Sequence, residues 1–170
     1  MSEKNPTIIN SYLSFKLRDE VFAAHASKVL NILEMCEVTE VPKAPEYMKG
    51  IINLRGTVLP VIDLRMKLGM SQTEKTANTC IIVLDIAIKN ESILVGAMVD
   101  AVQAVLEFEK SEIMPPPSIG SKYQSEFIVG VVNINESFIM VLDMDAILST
   151  DELSIIKDKA EVSKVTEGIE

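Results

Sequence analysis

The sequence contains few of the side chains from which most catalytic and metal-binding sites are built. Its 170 residues include no tryptophan, a single histidine (His25) and two cysteines (Cys36 and Cys80). The cysteines are far apart and form no CxxC pair, so we interpret them as small buried residues of a reducing compartment. No Ser, Cys or Asp motif frames His25, which we interpret as structural. We expect no metal site and no cofactor.

Basic residues are in the minority. Lys and Arg number 16 against 25 Asp and Glu, which gives a net charge of −9 at pH 7. This balance argues against binding to nucleic acid, because the phosphate backbone requires clustered Lys and Arg. No run approaches the ~20 apolar residues of a membrane helix, and the N-terminus lacks the apolar core of a signal peptide. We therefore expect a cytoplasmic protein that is not inserted in a membrane.

The common catalytic motifs are missing as a group. The sequence has no GxxxxGK[ST], GxGxxG, HExxH or GxSxG pattern, which are the signatures of nucleotide-binding, zinc-peptidase and serine-hydrolase sites. Because all of these classes are missing together, the sequence favours a binding module over an enzyme.

What the sequence does contain is an internal repeat. Residues 50–68 read GIINLRGTVLPVIDLRMKL, and residues 130–148 read GVVNINESFIMVLDMDAIL. The identical positions, at a constant offset of 80, are Gly50 and Gly130, Asn53 and Asn133, Val61 and Val141, Asp63 and Asp143, and Leu68 and Leu148. The copies differ at a predicted turn, Arg55-Gly56 in the first and Asn135-Glu136 in the second. A duplicated chain keeps what folding requires in both copies, so this difference indicates function.

Hairpins recur along the chain and predict a mostly β fold. Apolar runs flank a polar break at Arg18-Asp19-Glu20, and a second pair of runs covers residues 80–99 with its turn at residues 89–92. Together with the turns at Arg55-Gly56 and Asn135-Glu136, these hairpins predict two small five-stranded barrels of antiparallel strands. The junction of the barrels would form a groove, where partners commonly bind.

A connector between the hairpins also recurs. Residues 27–34 match residues 100–107 at an offset of 73. Val29 and Ile32 fall at helical spacing behind Ser27, a suitable N-cap, so we predict a short helix or turn here. If this segment lines the groove, one of these apolar residues would face the apolar stripe of a partner helix.

Two aspartates are predicted to start short helices. Asp63 and Asp143 each end a strand, and an Asp at this point accepts hydrogen bonds from free helical N–H groups. We therefore predict short helices over residues 64–68 and 144–148.

The last twenty residues have a different character. A capping-box pattern at Ser149 and Glu152 predicts a C-terminal helix with one apolar side. We predict one domain of two repeated units over residues 8–149 and a partly docked helical tail over residues 150–170.

The paired aspartates also raise an enzymatic alternative. Asp63 and Asp143 are equivalent in the two halves, as are the carboxylates of an aspartic-protease dyad, which share a proton. Such a dyad needs small hydroxyl and glycine neighbours, whereas Leu64-Arg65 and Met144-Asp145 follow here. Capping is the better interpretation, and an aspartic-type hydrolase is the alternative.

Arg55 is the charged difference between the copies. At an exposed turn its guanidinium offers several hydrogen-bond donors, although such an arginine can also serve only to keep a turn soluble. The second copy manages without the charge, so we predict that Arg55 binds a partner.

These residues resemble a known family. The segment Tyr47-x-x-Gly50-Ile51-Ile52-Asn53-Leu54-Arg55-Gly56, followed by Leu59-Pro60-Val61-Ile62-Asp63-Leu64, is similar to the signature of CheW, the coupling protein of bacterial chemotaxis, and the resemblance spans roughly residues 10–149. It implies two intertwined five-stranded barrels resembling SH3 domains and no enzymatic activity. It also implies binding to chemoreceptor tips and to the regulatory domain of the histidine kinase CheA. Receptors would thereby control kinase autophosphorylation in membrane-associated arrays.

The resemblance also implies roles for particular residues. Arg55 and Gly56 would meet the receptor tip, and Gly50 and Asn53 would shape the hairpin that presents them. Val29 matches a position on the receptor-facing groove, with Ile32 and Asn31 beside it. No residue is assigned to the kinase contact.

The chain departs from the family pattern in two places. Asn31 stands where an acidic residue is common, and Ala23-Ala24-His25-Ala26 replaces a Gly and larger aliphatic residues. Asn31 concerns partner specificity rather than the fold. An adaptor for a related kinase, serving pili, gliding or development, is an alternative function.

Overall fold

The computed structural model describes residues 9–88, 90–115 and 127–168. Lys89 of the second predicted turn, residue 8 at the predicted domain start and residues 169–170 of the predicted tail lie outside the described residues. The described chain forms the strands β1 (Ile9–Leu17), β2 (Glu20–His25), β3 (Val29–Glu34), β4 (Met48–Leu54), β5 (Thr57–Asp63), β6 (Cys80–Ile88), β7 (Glu91–Val99), β8 (Ala101–Glu109), β9 (Ile128–Ile134) and β10 (Ser137–Leu142). Its α-helices are α1 (Leu64–Lys67) and α2 (Thr150–Gly168).

The strands form two five-stranded sheets that exchange hairpins. The first sheet has the order β8-β1-β2-β10-β9, and the second has the order β3-β6-β7-β5-β4. The hairpin β1–β2 of the first repeat thus completes the sheet of the second repeat, and β6–β7 does the reverse. Each strand has its counterpart at the same place in the other sheet. The mostly β fold of two intertwined five-stranded units is confirmed.

The exchange places one parallel pair in each sheet, which the expectation of antiparallel strands had missed. β10 runs parallel to β2, and β5 runs parallel to β7, whereas the other pairs are antiparallel. A parallel pair arises because the two strands come from different hairpins and are not joined by a tight turn.

The short helix or turn predicted from Ser27 is only a turn, and the residues after it form a strand. A single 3-10 turn covers Ala26–Lys28, and Val29 then begins β3. Leu30 and Ile32 are apolar but exposed. The apolar residues therefore fall at helical spacing in the sequence, whereas exposure alternates from one residue to the next in the structure. The offset of 73 is nevertheless consistent with the register, because β3 bulges at Leu30 and β8 bulges at the matching Gln103.

Three apolar clusters hold the fold together. One lies on each sheet, and Tyr12 stacks on Phe108 in the first sheet at 4.2 Å between ring centroids. The largest cluster joins both sheets and contains Phe15 and Phe22 from one and Ile62 from the other. Packed side chains therefore join the two sheets at their junction. Such a junction fixes the two units against each other.

The two cysteines differ from the expectation. Cys80 is partly buried, but Cys36 is exposed, and both are free thiols. Cys36 lies in the irregular segment after β3, where a short apolar pattern does not require burial.

The segments that follow β5 and β10 differ between the repeats. Asp63 caps α1 as predicted, accepting from the N–H groups of Arg65 and Met66. The helix predicted over residues 144–148 is absent, because this described segment forms turns and bends after β10.

The predicted capping box starts α2. The Ser149 N–H donates to Glu152 at 2.9 Å, and the Glu152 N–H donates to Ser149 Oγ at 3.1 Å. Within the described part of the chain, no helix has the length and apolarity needed to span a bilayer.

Candidate functional site

The two hairpin tips have the same backbone shape. Arg55 and Gly56 have φ values of 53° and 86°, and Asn135 and Glu136 have φ values of 52° and 67°. Two central residues with positive φ give the turn whose twist matches that of the flanking strands. The second copy forms this turn without an arginine. Arg55 is therefore not required by the turn geometry.

Asn53 fixes the first tip from within the hairpin. Its Oδ1 accepts from the backbone N–H of Gly56 at 2.7 Å. A Cβ on Gly56 would meet no atom within 4 Å, so glycine is favoured here by its positive φ and not by space. Arg55 itself is exposed. The hairpin thus presents the Arg55 guanidinium from a turn that the Asn53–Gly56 hydrogen bond stabilises.

Gly50 is repeated for a different reason, which is space. A Cβ at Gly50 would lie 2.1 Å from the carbonyl oxygen of Thr39, and one at Gly130 would lie 2.3 Å from that of Met114. These oxygens belong to backbone bridges that cross the hairpins, Thr39 to Ile51 in one repeat and its counterpart in the other. Gly50 therefore shapes the hairpin by admitting a crossing segment.

The remaining predicted residues lie on the edge strand β3. Val29 is half-buried and packs against the central apolar cluster, whereas Ile32 is 43% exposed. The Oδ1 of Asn31 accepts from the N–H of Ile32 at 2.8 Å. The prediction missed Leu30, which is 55% exposed, because a helix would turn it away from Ile32. In the strand observed here both side chains are exposed.

Arg55 and β3 belong to the same sheet but to different edges of it. β3 is first in the strand order β3-β6-β7-β5-β4, and Arg55 lies at the tip between the last two strands. The chain after β3 returns to β4, where Thr39 and Ile51 exchange hydrogen bonds of 2.9 and 2.8 Å. Leu33 and Leu54 then pack on one apolar cluster. The second sheet therefore positions both groups of predicted residues.

The two edges of the second sheet offer the Arg55 guanidinium and the exposed aliphatic side chains of Leu30 and Ile32. A guanidinium makes paired hydrogen bonds with carboxylates, and an exposed aliphatic edge packs against the apolar stripe of a helix. The arrangement suits recognition of a helical partner that carries acidic side chains.

The two predicted dyad residues are not brought together. Asp63 is 1% exposed, and its carboxylate accepts from the Thr73 N–H at 2.9 Å and from Thr73 Oγ1 at 2.7 Å, besides capping α1. Asp143 is exposed at the end of the other sheet and accepts from the Asp145 N–H at 3.0 Å. The two residues line different cavities. Carboxylates in this arrangement do not share a proton.

His25 uses both of its ring nitrogens in local contacts. Nδ1 accepts from the Ser27 N–H at 3.1 Å. This contact assigns the ring proton to Nε2, which then donates to Asn10 Oδ1 at 3.1 Å. The ring also meets Tyr12 edge to face, with 5.1 Å between centroids. These contacts orient the end of β2.

A cation lies between equivalent aromatic rings of the two repeats. Lys67 Nζ lies 5.0 Å from the ring centroid of Tyr47 and 5.4 Å from that of Phe127, residues related by the offset of 80. The same ammonium pairs with Glu152 of α2 at 2.6 Å. Burial, and then the charge of Glu152 and a hydrogen bond to it, raise the pKa of Tyr47 to about 12. The cluster docks α2 where the two repeats meet.

The chain matches known proteins over most of its length. Residues 11–152 match the CheW-like domain family. The chain is 36% identical over 140 residues to the probable chemotaxis protein CheW of Rhizobium etli, which covers 82% of this chain and 88% of that protein. Protein FrzA of Myxococcus xanthus is 27% identical over 141 residues, covering 82% of this chain and 85% of that protein.

A solved structure supports the fold independently. The crystal structure of the scaffolding protein TtCheW from Thermoanaerobacter tengcongensis has a TM-score of 0.74 and 26% identity. The similarity covers 85% of this chain and 96% of that one. Sequence and fold agree, and the chain belongs to the CheW family of chemotaxis coupling proteins.

Proposed function

We propose that this protein is a non-enzymatic adaptor that couples chemoreceptor signalling tips to a CheA-type histidine kinase and thereby controls kinase autophosphorylation. Membership of the CheW family supports the coupling role. The observation that carries the proposal is the pair of hairpin tips, which share one turn geometry while only one of them carries a cation. A charge that the turn does not require is available for a partner.

The proposed receptor contact consists of Arg55 and Gly56 at the tip, with Val29, Asn31 and Ile32 on β3. Arg55 binds an acidic side chain of the receptor tip, and Gly56 keeps the turn that presents it. Ile32 supplies exposed apolar surface, whereas Val29 acts mainly by supporting β3 from the core side. The residues that touch the kinase's regulatory domain are not assigned.

The proposed organisation follows from where each segment packs. Residues 8–149 carry the adaptor activity, and residues 150–170 are a tail in which Thr150–Gly168 form α2. Leu153, Ile156 and Ala160 of α2 are buried in the central cluster, so this tail stabilises the adaptor. The protein acts in the cytoplasm and joins membrane-associated arrays through its partners.

The test is reconstitution with a receptor signalling fragment and the kinase. Arg55→Glu reverses the charge of an exposed residue, so we expect its thermal transition to stay within a few degrees, because exposed substitutions shift stability by less than about 0.5 kcal/mol. Receptor-dependent kinase activation should be abolished.

The other tip provides the matched control. Asn135→Asp adds a negative charge at the equivalent position and keeps a residue that tolerates positive φ. It should leave activation unchanged. Normal activation by the Arg55→Glu protein, or equal loss in both variants, would contradict the assignment of Arg55.

The second candidate is an adaptor for a related kinase pathway serving pili, gliding or development. The similarity to a Myxococcus protein that has a different name, FrzA, favours keeping this candidate. Pull-downs with the regulatory domain of each CheA-type kinase from the same genome separate the candidates, because only the cognate domain should be retained. A variant Asp63→Asn tests the hydrolase alternative, which requires the unmutated protein to cleave peptides.

A further inference from the structure

The chain crosses from one sheet to the other at two places. The first crossover is the 3-10 turn Ala26–Lys28 between β2 and β3, and the second is Asp100 between β7 and β8. Each crossover leads directly into an edge strand. The start of an edge strand is held by neighbours on one side only, so side-chain contacts at a crossover influence where that strand lies.

One carboxylate anchors the first crossover. Lys28 Nζ pairs with Asp145 Oδ2 at 2.7 Å, and the other oxygen, Oδ1, accepts from the Ala87 N–H at 3.0 Å. Asp145 follows β10 in the first sheet, whereas Ala87 lies near the end of β6 in the second sheet. The Asp145 side chain thus contacts both the turn that leads into β3 and the end of the neighbouring strand β6.

This anchor lies beside an irregularity in the pairing of β3 with β6. Val29 pairs with Leu84, but the register shifts before Asn31 pairs with Val83, because Leu30 is the extra residue of a bulge. A bulge leaves a residue unpaired and bends the strand. The exposed side chains of Leu30 and Ile32 therefore depend on how the start of β3 is held.

The second crossover has an anchor with the charges reversed. Arg65 donates to both oxygens of Asp100 at 2.7 and 2.6 Å, and Asp100 also accepts from the Arg18 N–H at 2.7 Å. Arg65 and Asp145 are equivalent at the offset of 80. The Arg65–Asp100 side chains are 12% and 16% exposed, against 29% and 36% for Lys28 and Asp145. The more open pair is the one next to the predicted partner surface.

We propose that Lys28 and Asp145 are positioning residues, which fix the start of β3 and thereby set the exposed Leu30–Ile32 edge for partner binding. The inference rests on the proposed function for its binding consequence. Its structural part concerns only the ion pair and β3.

The experiment is a double-mutant cycle with two readouts. The variants are Lys28→Met, Asp145→Asn and the double variant, and Asp145→Asn keeps the acceptor for Ala87. Affinity is measured for a receptor signalling fragment, and amide exchange is measured for residues 29–32. Each single variant should bind about threefold to fivefold more weakly, the size of a part-exposed ion pair. Exchange over residues 29–32 should accelerate by a similar factor.

The double variant separates positioning from direct contact. If both residues act through their ion pair, the double variant should bind no more weakly than either single variant. Additive losses would mean that the side chains touch the receptor separately and would overturn the inference. Lys28 and Lys110 line the same cavity. The control Lys110→Met therefore removes a nearby lysine outside the ion pair and should leave both readouts unchanged.

The two readouts also separate the two proposals. If the unmutated protein does not bind the receptor fragment, the proposed receptor contact fails, while faster exchange in the single variants still supports the role of the pair in fixing β3. If the receptor fragment binds and the single variants match the unmutated protein in affinity and exchange, the positioning inference fails alone.

Discussion

The hairpins β4–β5 and β9–β10 have the same turn conformation but expose different side chains. Both have the space-restricted glycine and the same turn. The first hairpin has Lys49 and Arg55, whereas the second has Val129 and Phe138, which are 51% and 63% exposed. The comparison teaches that duplication preserved what the backbone needs and let the surfaces diverge, one becoming cationic and the other apolar.

The largest expected effect concerns the shared glycines. Gly50→Ala and Gly130→Ala each place a Cβ well inside contact distance of a backbone oxygen, so we expect a loss of about 3 kcal/mol for Gly50 and about 2 kcal/mol for Gly130, in the range of overpacked cores. The larger value for Gly50 reflects its φ of 151°. Urea unfolding measures both. A loss below about 0.5 kcal/mol in either variant, the level of an ordinary surface substitution, would break the equivalence of the two hairpins.

Replacing the two shared aspartates should give losses of stability that differ more than those of the two glycine variants. Asp63→Asn replaces one oxygen of a buried carboxylate that accepts from four N–H and O–H groups with an amide NH2. The remaining oxygen still accepts, but the negative charge is lost and a donor faces one of the four groups, so we expect a loss of about 2 kcal/mol, in the range of a weakened cap combined with a lost buried hydrogen bond to a charged group. Asp143→Asn should lose less than about 0.5 kcal/mol because it is exposed. Chemical denaturation of both variants checks this, and equal losses would show that both aspartates have the same structural role.

A pH titration distinguishes Tyr47 from its counterpart Phe127. The pKa of Tyr47 is raised from 10.0 to about 12, so its contribution to stability is complete below pH 10 and is lost as the pH rises through about 12. Tyr47→Phe makes the first repeat resemble the second and should remove this alkaline loss. Unfolding by urea at pH 9 and pH 11.5 provides the comparison, and an unchanged alkaline slope in the variant would contradict the assignment.

Lowering the pH should also weaken the cluster of Tyr47, Lys67 and Glu152. Burial acts to raise the pKa of Glu152, but the hydrogen bonds from Lys67 and Ser149 outweigh it, and the pKa lies below its usual value of 4.5. The contribution of Glu152 is therefore present above pH 4.5 and is lost as the pH falls through its lower value in the folded protein.

The smallest expected effect lies at the second tip. Glu136 has a φ of 67°, a conformation that a glycine adopts without strain. Glu136→Gly should therefore stabilise the protein by about 0.5 kcal/mol, with the greater flexibility of unfolded glycine offsetting part of the gain. Thermal unfolding measures the shift, and a clear loss of stability would mean that the Glu136 side chain supports the turn.

The sequence was sufficient for features that depend on local chemistry. The turn at Arg55-Gly56, the cap at Asp63 and the capping box at Ser149 follow from residue type and spacing, and the structure contains all three. The offset of 73 was also informative, because an extra residue at Leu30 is matched by one at Gln103.

Pairing between distant strands was beyond reach of the pattern alone. Equivalent strands carry equivalent patterns, so a repeat gives no local signal for whether a hairpin pairs within its own copy or with the other. The exposure of Leu30 and the pairing of Lys28 with Asp145 also depend on that choice. The family resemblance, and not the spacing of residues, implied the intertwined arrangement.

The exchanged hairpins have a consequence for synthesis of the chain. Strands β3 to β7 are continuous in sequence, whereas Ile9 of β1 must pair with Glu109 of β8. Sheets that need distant partners form slowly, and we expect the second sheet to form on the ribosome while β1 and β2 still wait for their neighbours. Pulse-labelled exchange during refolding would show earlier protection in β3 to β7. The β4–β5 tip with Arg55 would then form before the β9–β10 tip. The strands β1 and β2 would lack their partners β8 and β10 until those strands leave the ribosome.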